Sequence, residues 1–338
     1  MSVTYEFDDE ALRLLANLEQ RYAAWMDAER ILSPGRLAWK TVSGAEYLYR
    51  IVDGRGNGRS LGRRSPETEA QWLAAQTAHQ TTATLRPTLL RDSALYRTLR
   101  LPRIASAAAQ LLREFDRQAL LGTSLLVVGT NAMAAYEIEA QSRFASAAGV
   151  DSTADFDVTW VAEEPRQTTL AAIGAAPRTL LEVMKRVDAT YTINTERTFQ
   201  VRNANGYEIE LLLPKILEQS LPRNETLQPI ALPEQDWLLP GRRVEHVVCG
   251  LDGQPCRLIA PDPRYFALHK LWLARKPTRN PLKRPKDEKQ GTLLLSAIAE
   301  RMPHYALDDA FRDALPPELT PYLDHWRQTT RQREGRSE

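Results

Sequence analysis

Residues 125–160 read LLVVGTNAMAAYEIEAQSRFASAAGVDSTADFDVTW, and this stretch decides the fold. Leu125–Val128 is an apolar run closed by Gly129-Thr130, a buried strand that turns into a helix over Asn131–Glu139. Asp155-Phe156-Asp157-Val158 then opens a second strand, running to Val161. Side chains alternate across a strand, so Asp155 and Asp157 project to one face. Two like charges side by side repel and call for a cation. Magnesium, which takes hard oxygen ligands and bridges to substrate phosphates, suits them best. A strand that passes through Gly-Thr into a helix offers the complement, because the first N–H groups of a helix face an anion. Metal ligands opposite a phosphate cradle point to phosphoryl or nucleotidyl transfer.

Upstream of this stretch, residues 8–32 form one amphipathic helix by their spacing. Ala11, Leu15, Leu18, Tyr22, Trp25, Ala28 and Leu32 recur at steps of three or four. Ser33-Pro34-Gly35 stops it. Trp39–Val52 is rich in β-formers and runs into Asp53-Gly54-Arg55-Gly56-Asn57-Gly58, which predicts a β-hairpin with its tip there. Ser65-Pro66-Glu67 opens a second helical stretch to about Leu121, with breaks expected near Pro87 and Pro102.

Downstream, Thr179–Val187 reads as a helix. Thr198–Arg202 and Tyr207–Leu213 flank Asn203-Ala204-Asn205-Gly206, which is hairpin chemistry. Residues 215–262 are Pro-rich and contain a short hairpin around Gly250–Gln254. Helices follow over Pro263–Arg275, Lys286–Met302 and near Pro317–Arg327, and Arg331–Glu338 reads as a frayed tail. The expected class is α+β: a small mixed-sheet core over 122–214, a mostly helical arm over 1–121 carrying the hairpin, and a Pro-rich connector with a C-terminal helical region over 215–330.

The 338 residues carry a formal net charge of only +1, which argues against a general polyanion binder. Basic residues are nonetheless concentrated. Arg264, Lys270, Arg275, Lys276, Arg279, Lys283, Arg284 and Lys286 fall in one stretch without an acid. A second basic run, Arg36–Arg64, spans the hairpin. Its Arg50, Arg55, Arg59, Arg63 and Arg64 suit nucleic acid, and a solvated loop explains the same charges. Local basic surfaces fit a phosphate-bearing substrate. Cys249 and Cys256 are too few for a disulfide framework and too far apart for a CxxC site, so reduced thiols are expected. The acidic, polar start and the absence of about 18 unbroken apolar residues predict a cytoplasmic protein with no membrane contact.

The order Gly-Thr, helix, Asp-x-Asp and a later strand acid resembles the nucleotidyltransferase superfamily typified by DNA polymerase beta. The match runs over about residues 122–214, on Gly129-Thr130, Asp155, Asp157 and Glu210 within Gly206-Tyr-Glu-Ile-Glu-Leu-Leu-Leu-Pro214. The wording Val-Gly-Thr-Asn-Ala, with Tyr136, Lys270 and Lys286-Asp287, is similar to a poorly characterised bacterial branch distantly related to abortive-infection toxins. The resemblance implies magnesium-dependent transfer of a nucleotidyl group from a nucleoside triphosphate to a hydroxyl acceptor: an RNA end, a protein or a small molecule. Asp155, Asp157 and Glu210 would hold two Mg2+ ions. Gly129, Thr130 and Asn131, with the Ala132 N–H, would cradle the phosphates. Lys270 and Lys286 are the candidate phosphate ligands outside the core.

Three departures stand out. Thr130 replaces the commoner serine, the Gly129-to-Asp155 separation is long, with an insertion over Gln141–Thr153, and the third acid is Glu, with Glu208 on the same face as competitor. They support an alternative, a non-catalytic nucleotide- or nucleic-acid-binding module on an inactivated transferase fold. An interaction protein working through its helical arm is a third class. For single residues, the competing readings are a core carboxylate partner for Lys270 and a helix N-terminal charge for Asp287. His269 reads as a packed helix residue, and Tyr136 and Trp160 as core.

Overall fold

The protein is described here from a computed structural model covering residues 4–32, 35–52, 54–144, 155–161, 179–220 and 226–334. Strand β1 (Thr4–Glu6) precedes α1 (Asp9–Leu32), whose apolar stripe is buried as expected from Ala11 to Ala28, with Leu14 and Met26 added to it and Leu32 only half-buried. Each Leu so buried contributes about 1.5–3 kcal/mol. The expected hairpin is present as β3 (Ala45–Ile51) and β4 (Gly58–Arg63), turning where the sequence places its tip, and β2 (Arg36–Val42) makes it a three-stranded meander. Its first turn is Ser43-Gly44, with positive φ at both residues, inside the Trp39–Val52 run of β-formers.

Helix α2 (Pro66–Thr98) starts at a Ser65/Thr68 capping box and runs through Pro87 without ending there. Proline removes one helical N–H, and packing along α1 with the Arg21–Asp92 ion pair (2.7 Å) carries the helix past that loss. The break at Pro102 is real. It separates α2 from β5 (Arg103–Ile104) and α3 (Ser106–Arg117).

The core sheet begins with β6 (Leu125–Val128). A 3-10 turn over Thr130–Ala132 leads into α4 (Met133–Glu139), so the helix starts later than its sequence pattern. Next come β7 (Ser142–Phe144), which pairs with β1, then β8 (Asp155–Trp160) and α5 (Leu180–Val187). Of the expected insertion, residues 145–153 lie outside the described residues. Strands β9 (Thr192–Ile193), β10 (Gln200–Arg202) and β11 (Glu208–Pro214) follow, then β12 (Ile230–Leu232). The sheet order is β6-β8-β11-β10-β9, with β12 parallel to the end of β11. Strand β8 is antiparallel to β6 and parallel to β11, so this mixed sheet makes the fold α+β.

The hairpin β13 (Val244–Gly250) and β14 (Pro255–Ala260) packs under α1, α3 and α4. Strand β5 adds to the open edge of β13 in parallel. Cys249 and Cys256 are both free and buried. Cys256 pairs with Val248, so neighbouring Cys249 points to the opposite face and no bridge can form. Helices α6 (Pro263–Arg275) and α7 (Arg284–Arg301) pack closely, because a Cβ on Gly291 would meet the Ala267 carbonyl oxygen at 2.7 Å. The chain continues through α8 (Asp309–Asp313) and α9 (Thr320–Glu334), the latter extending into the segment expected to fray. Among the described residues, no helix is long and apolar enough to cross a membrane.

Candidate functional site

Strand register builds the site. Val128 lies opposite Asp157 across the β6–β8 ladder, and Asp157 lies beside Glu210 across the β8–β11 ladder. Phe156, Val158, Ile209 and Leu211 are fully buried on one face of the sheet. Alternation therefore turns Asp155, Asp157, Glu208 and Glu210 to the other face. Apolar packing beneath fixes the direction of the acids above.

Gly129 follows β6 with φ +71°, and a Cβ there would lie 2.0 Å from Asp157 Oδ2. Only glycine tolerates both the dihedral and the approach. The expected reason for this glycine was a phosphate; the neighbour it accommodates is the carboxylate of Asp157.

Electrostatics marks the three acids as a unit. Burial, with the charges of Asp155 and Glu210, pushes the Asp157 carboxyl up to about 7, against the pull of Lys270 and Lys283. Burial likewise raises Glu210, with Asp155 and Glu208 adding to the effect against Lys283 and Arg197. Burial also acts to raise Asp155, but Lys283 Nζ donates to its Oδ2 at 2.8 Å, and the acid ends below its usual value. Glu208 stands beside Asp155 with Arg202 Nε at 3.8 Å, whereas Glu210 stands beside Asp157 and lines the cavity. Gln200 on β10 ties the two glutamates, its Nε2 donating to Glu208 at 3.0 Å and Glu210 at 3.4 Å.

That cavity holds about 250 Å3 between the sheet and α6–α7. Its walls bring Gly129, Asp157 and Glu210 to face Lys270, Lys276, Arg279 and Lys283. Lys270 is buried and donates to Asp287 Oδ1 at 2.9 Å, so the core-carboxylate reading holds while the lysine still borders the cavity. Asp287 is 2% exposed and also accepts from Arg279 Nε at 2.7 Å. It is a junction between two cations as well as an acid in the first turn of α7. Lys286 borders the same charges: burial and Lys270 lower its ammonium, while Asp155 and Asp287 act to raise it.

The side chains of two expected cradle residues are engaged within the fold. Thr130 is buried, and its Oγ1 accepts from Gln290 Nε2 on α7 at 3.4 Å. Asn131 is 2% exposed and donates from Nδ2 to the Asp155 carbonyl at 3.5 Å. Neither lines the cavity. Lys283, His269 and Gln235, which line the cavity, and Gln200, which binds its glutamates, are not singled out as candidates by the sequence. Lys283 was counted only as one charge in a basic run, although it and Lys286 flank the start of α7 at a spacing of three.

The donor chemistry suits a divalent ion: three desolvated carboxylates, all hard oxygens, with the glycine leaving their approach open. As the side chains stand, however, no group of three or more His, Cys, Asp or Glu among the described residues is arranged to hold a metal ion. Asp155 takes the Lys283 ammonium instead. A second cavity, about 430 Å3 between α1 and β13–β14, is lined by charges that engage one another: Asp116 accepts from Tyr22, Arg30 and Arg257.

A family model described as nucleotidyltransferase matches residues 106–316. No curated protein and no solved structure matches the chain.

Proposed function

The chain belongs to this nucleotidyltransferase family, and on that premise we propose that it transfers a nucleotidyl group from a magnesium-bound nucleoside triphosphate to a hydroxyl acceptor. The observation that carries the reading is the transverse line Val128–Asp157–Glu210, fixed by strand register, with Gly129 against the Asp157 carboxylate and a group of cations across one cavity.

Asp155, Asp157 and Glu210 are the residues that would hold two Mg2+ ions. Ions bound there supply charge stabilisation at the attacking and leaving oxygens. Gly129 leaves room beside Asp157. Lys270 and Lys283 neutralise phosphate charge, and Asp287 with Arg279 holds Lys270 in place. Glu210, steadied by Gln200, is the group that would take the proton of the acceptor hydroxyl. In such transfers most of the barrier reduction comes from positioning and electrostatics. The basic meander and the basic residues of α6–α7 favour an acceptor that carries phosphate, with an RNA end as first choice. A toxin or defence role is the subordinate part of the proposal, and a cytoplasmic site of action goes with it.

Purified protein incubated with Mg2+ and each labelled triphosphate, with and without total RNA, should transfer label, and Asp157→Asn should abolish it. Folded protein that labels no acceptor would count against the reading. The Lys283–Asp155 ion pair favours the second reading, a nucleotide-binding module without catalysis. Tight nucleotide binding that needs no magnesium and survives Asp155→Asn with Asp157→Asn would select it.

A further inference from the structure

Beyond the acids, the same cavity is lined by two residues with buried polar atoms that the fold leaves unanswered. His269 on α6 is 4% exposed, and neither ring nitrogen has a hydrogen-bond partner among the described residues. Gln235, in the 3-10 turn Pro233–Leu238, is 3% exposed, and its Oε1 is also without a partner there. Both residues line the cavity shared by Gly129, Asp157 and Glu210. Buried polar groups in native proteins are nearly always satisfied, so three orphaned atoms on two residues that line one cavity point to a ligand that satisfies them.

The histidine is held for recognition. Its ring lies nearly parallel to Trp272 (13°, centroids 6.5 Å apart) and meets the edge of Trp237 (75°, 6.3 Å). The two tryptophans brace each other at 5.0 Å. Burial, then Lys270, Arg279 and Lys276, push the imidazole down to about 3 against the pull of Asp287. It is therefore neutral near pH 7, with one nitrogen donating and the other accepting, and it is a poor proton carrier.

The chemistry of the orphans selects the ligand group. Phosphate oxygens offer acceptors, which suit the lysines. Gln235 Oε1 and the bare imidazole nitrogen are themselves acceptors and need donors. A nucleobase edge carries donors and acceptors side by side. We propose that His269 and Gln235 form the base-reading end of the nucleotide site, engaging the hydrogen-bonding edge of a nucleobase whose phosphates face Lys270 and Lys283. This rests on the nucleotide reading given above and adds the residues that select among nucleotides.

Calorimetric titration of the full chain in MgCl2 with ATP, GTP, CTP, UTP and inorganic tripolyphosphate tests it. The unaltered protein should show at least about a tenfold spread in affinity among the four nucleotides, the discrimination expected of a well-paired base edge. His269→Phe keeps the ring between the tryptophans and should compress that spread to about twofold, leaving tripolyphosphate within about twofold of its original affinity. Gln235→Leu, on a different element, should compress the same spread. A spread undiminished in both folded variants overturns the proposal, as does its absence from the unaltered chain. If all five ligands bind alike, only the base-reading assignment falls. If none binds, the nucleotide reading falls with it.

Discussion

Lys283 reaches across from the start of α7 to Asp155 on β8, donating to Oδ2 at 2.8 Å. The pair is partly exposed on both sides, so its net contribution to stability is about 0–1 kcal/mol. Lys283→Gln should leave the melting curve almost unchanged. The same substitution should lower transfer by about 10–100-fold, the loss of a group that neutralises developing phosphate charge. Steady-state kinetics beside calorimetric melting checks this, and an unaltered rate would remove Lys283 from the site.

Gly129→Ala places a methyl 2.0 Å from the Asp157 carboxylate at a backbone dihedral of +71°. The strain at such a position is of order 1–3 kcal/mol, and the carboxylate must move to admit the methyl. We expect a folded, less stable variant with transfer near background. Denaturant titration gives the stability, and label transfer gives the rate.

The Lys270–Asp287 pair is almost fully buried, unlike the exposed Arg275–Glu288 pair one turn away. Removing one partner from a buried pair costs about 3–5 kcal/mol, because the other charge is left in the interior. Arg279 still reaches Asp287, so Lys270→Met should fall at or below the lower end of that range. Arg275→Ala should cost less than about 0.5 kcal/mol. Parallel denaturant titrations compare them, and equal losses would contradict the burial argument.

A pH dependence follows from His246, which lies between Glu19 (2.7 Å) and Glu139 (2.6 Å), while Glu139 also meets His304 (2.6 Å). Burial acts to lower the imidazole, but the two carboxylates outweigh it and bring it to about 9. The His246 hydrogen bond chiefly holds Glu139 down to about 2. A raised histidine stabilises fully below about 6.5 and loses that contribution as pH rises through about 9. A depressed carboxyl stabilises above about 4.5 and loses it as pH falls toward about 2. The network is strongest between those limits. His246→Gln should flatten the stability profile from pH 6 to 9 by about 1–3 kcal/mol, since Glu19 is partly in solvent. Chemical denaturation at pH 6, 7.5 and 9 measures it.

Much of this arrangement is legible in the sequence. Period-two alternation announces the Asp155/Asp157 face, and the observed span of α6, Pro263–Arg275, is the expected one. Local signals failed where tertiary packing decided. Pro87 passes inside α2 because α1 supports the helix, and Thr130 turns toward Gln290 because α7 packs over that turn. Lys283 and Gln235 were invisible as site residues, since their proximity to Asp157 arises only when α6, α7 and the 3-10 turn fold back over the sheet. The sequence reads His269 as a packed residue. It is packed, but a sequence cannot show that its nitrogens lack partners.

Strand β5, only two residues long, carries a practical consequence. Arg103–Ile104 covers the outer edge of β13. A shortened protein starting at Ser124 would lose that cover along with α1 and α3, baring unpaired backbone groups beside apolar surface. Such a fragment is expected to self-associate or precipitate, so activity assays belong on the intact polypeptide.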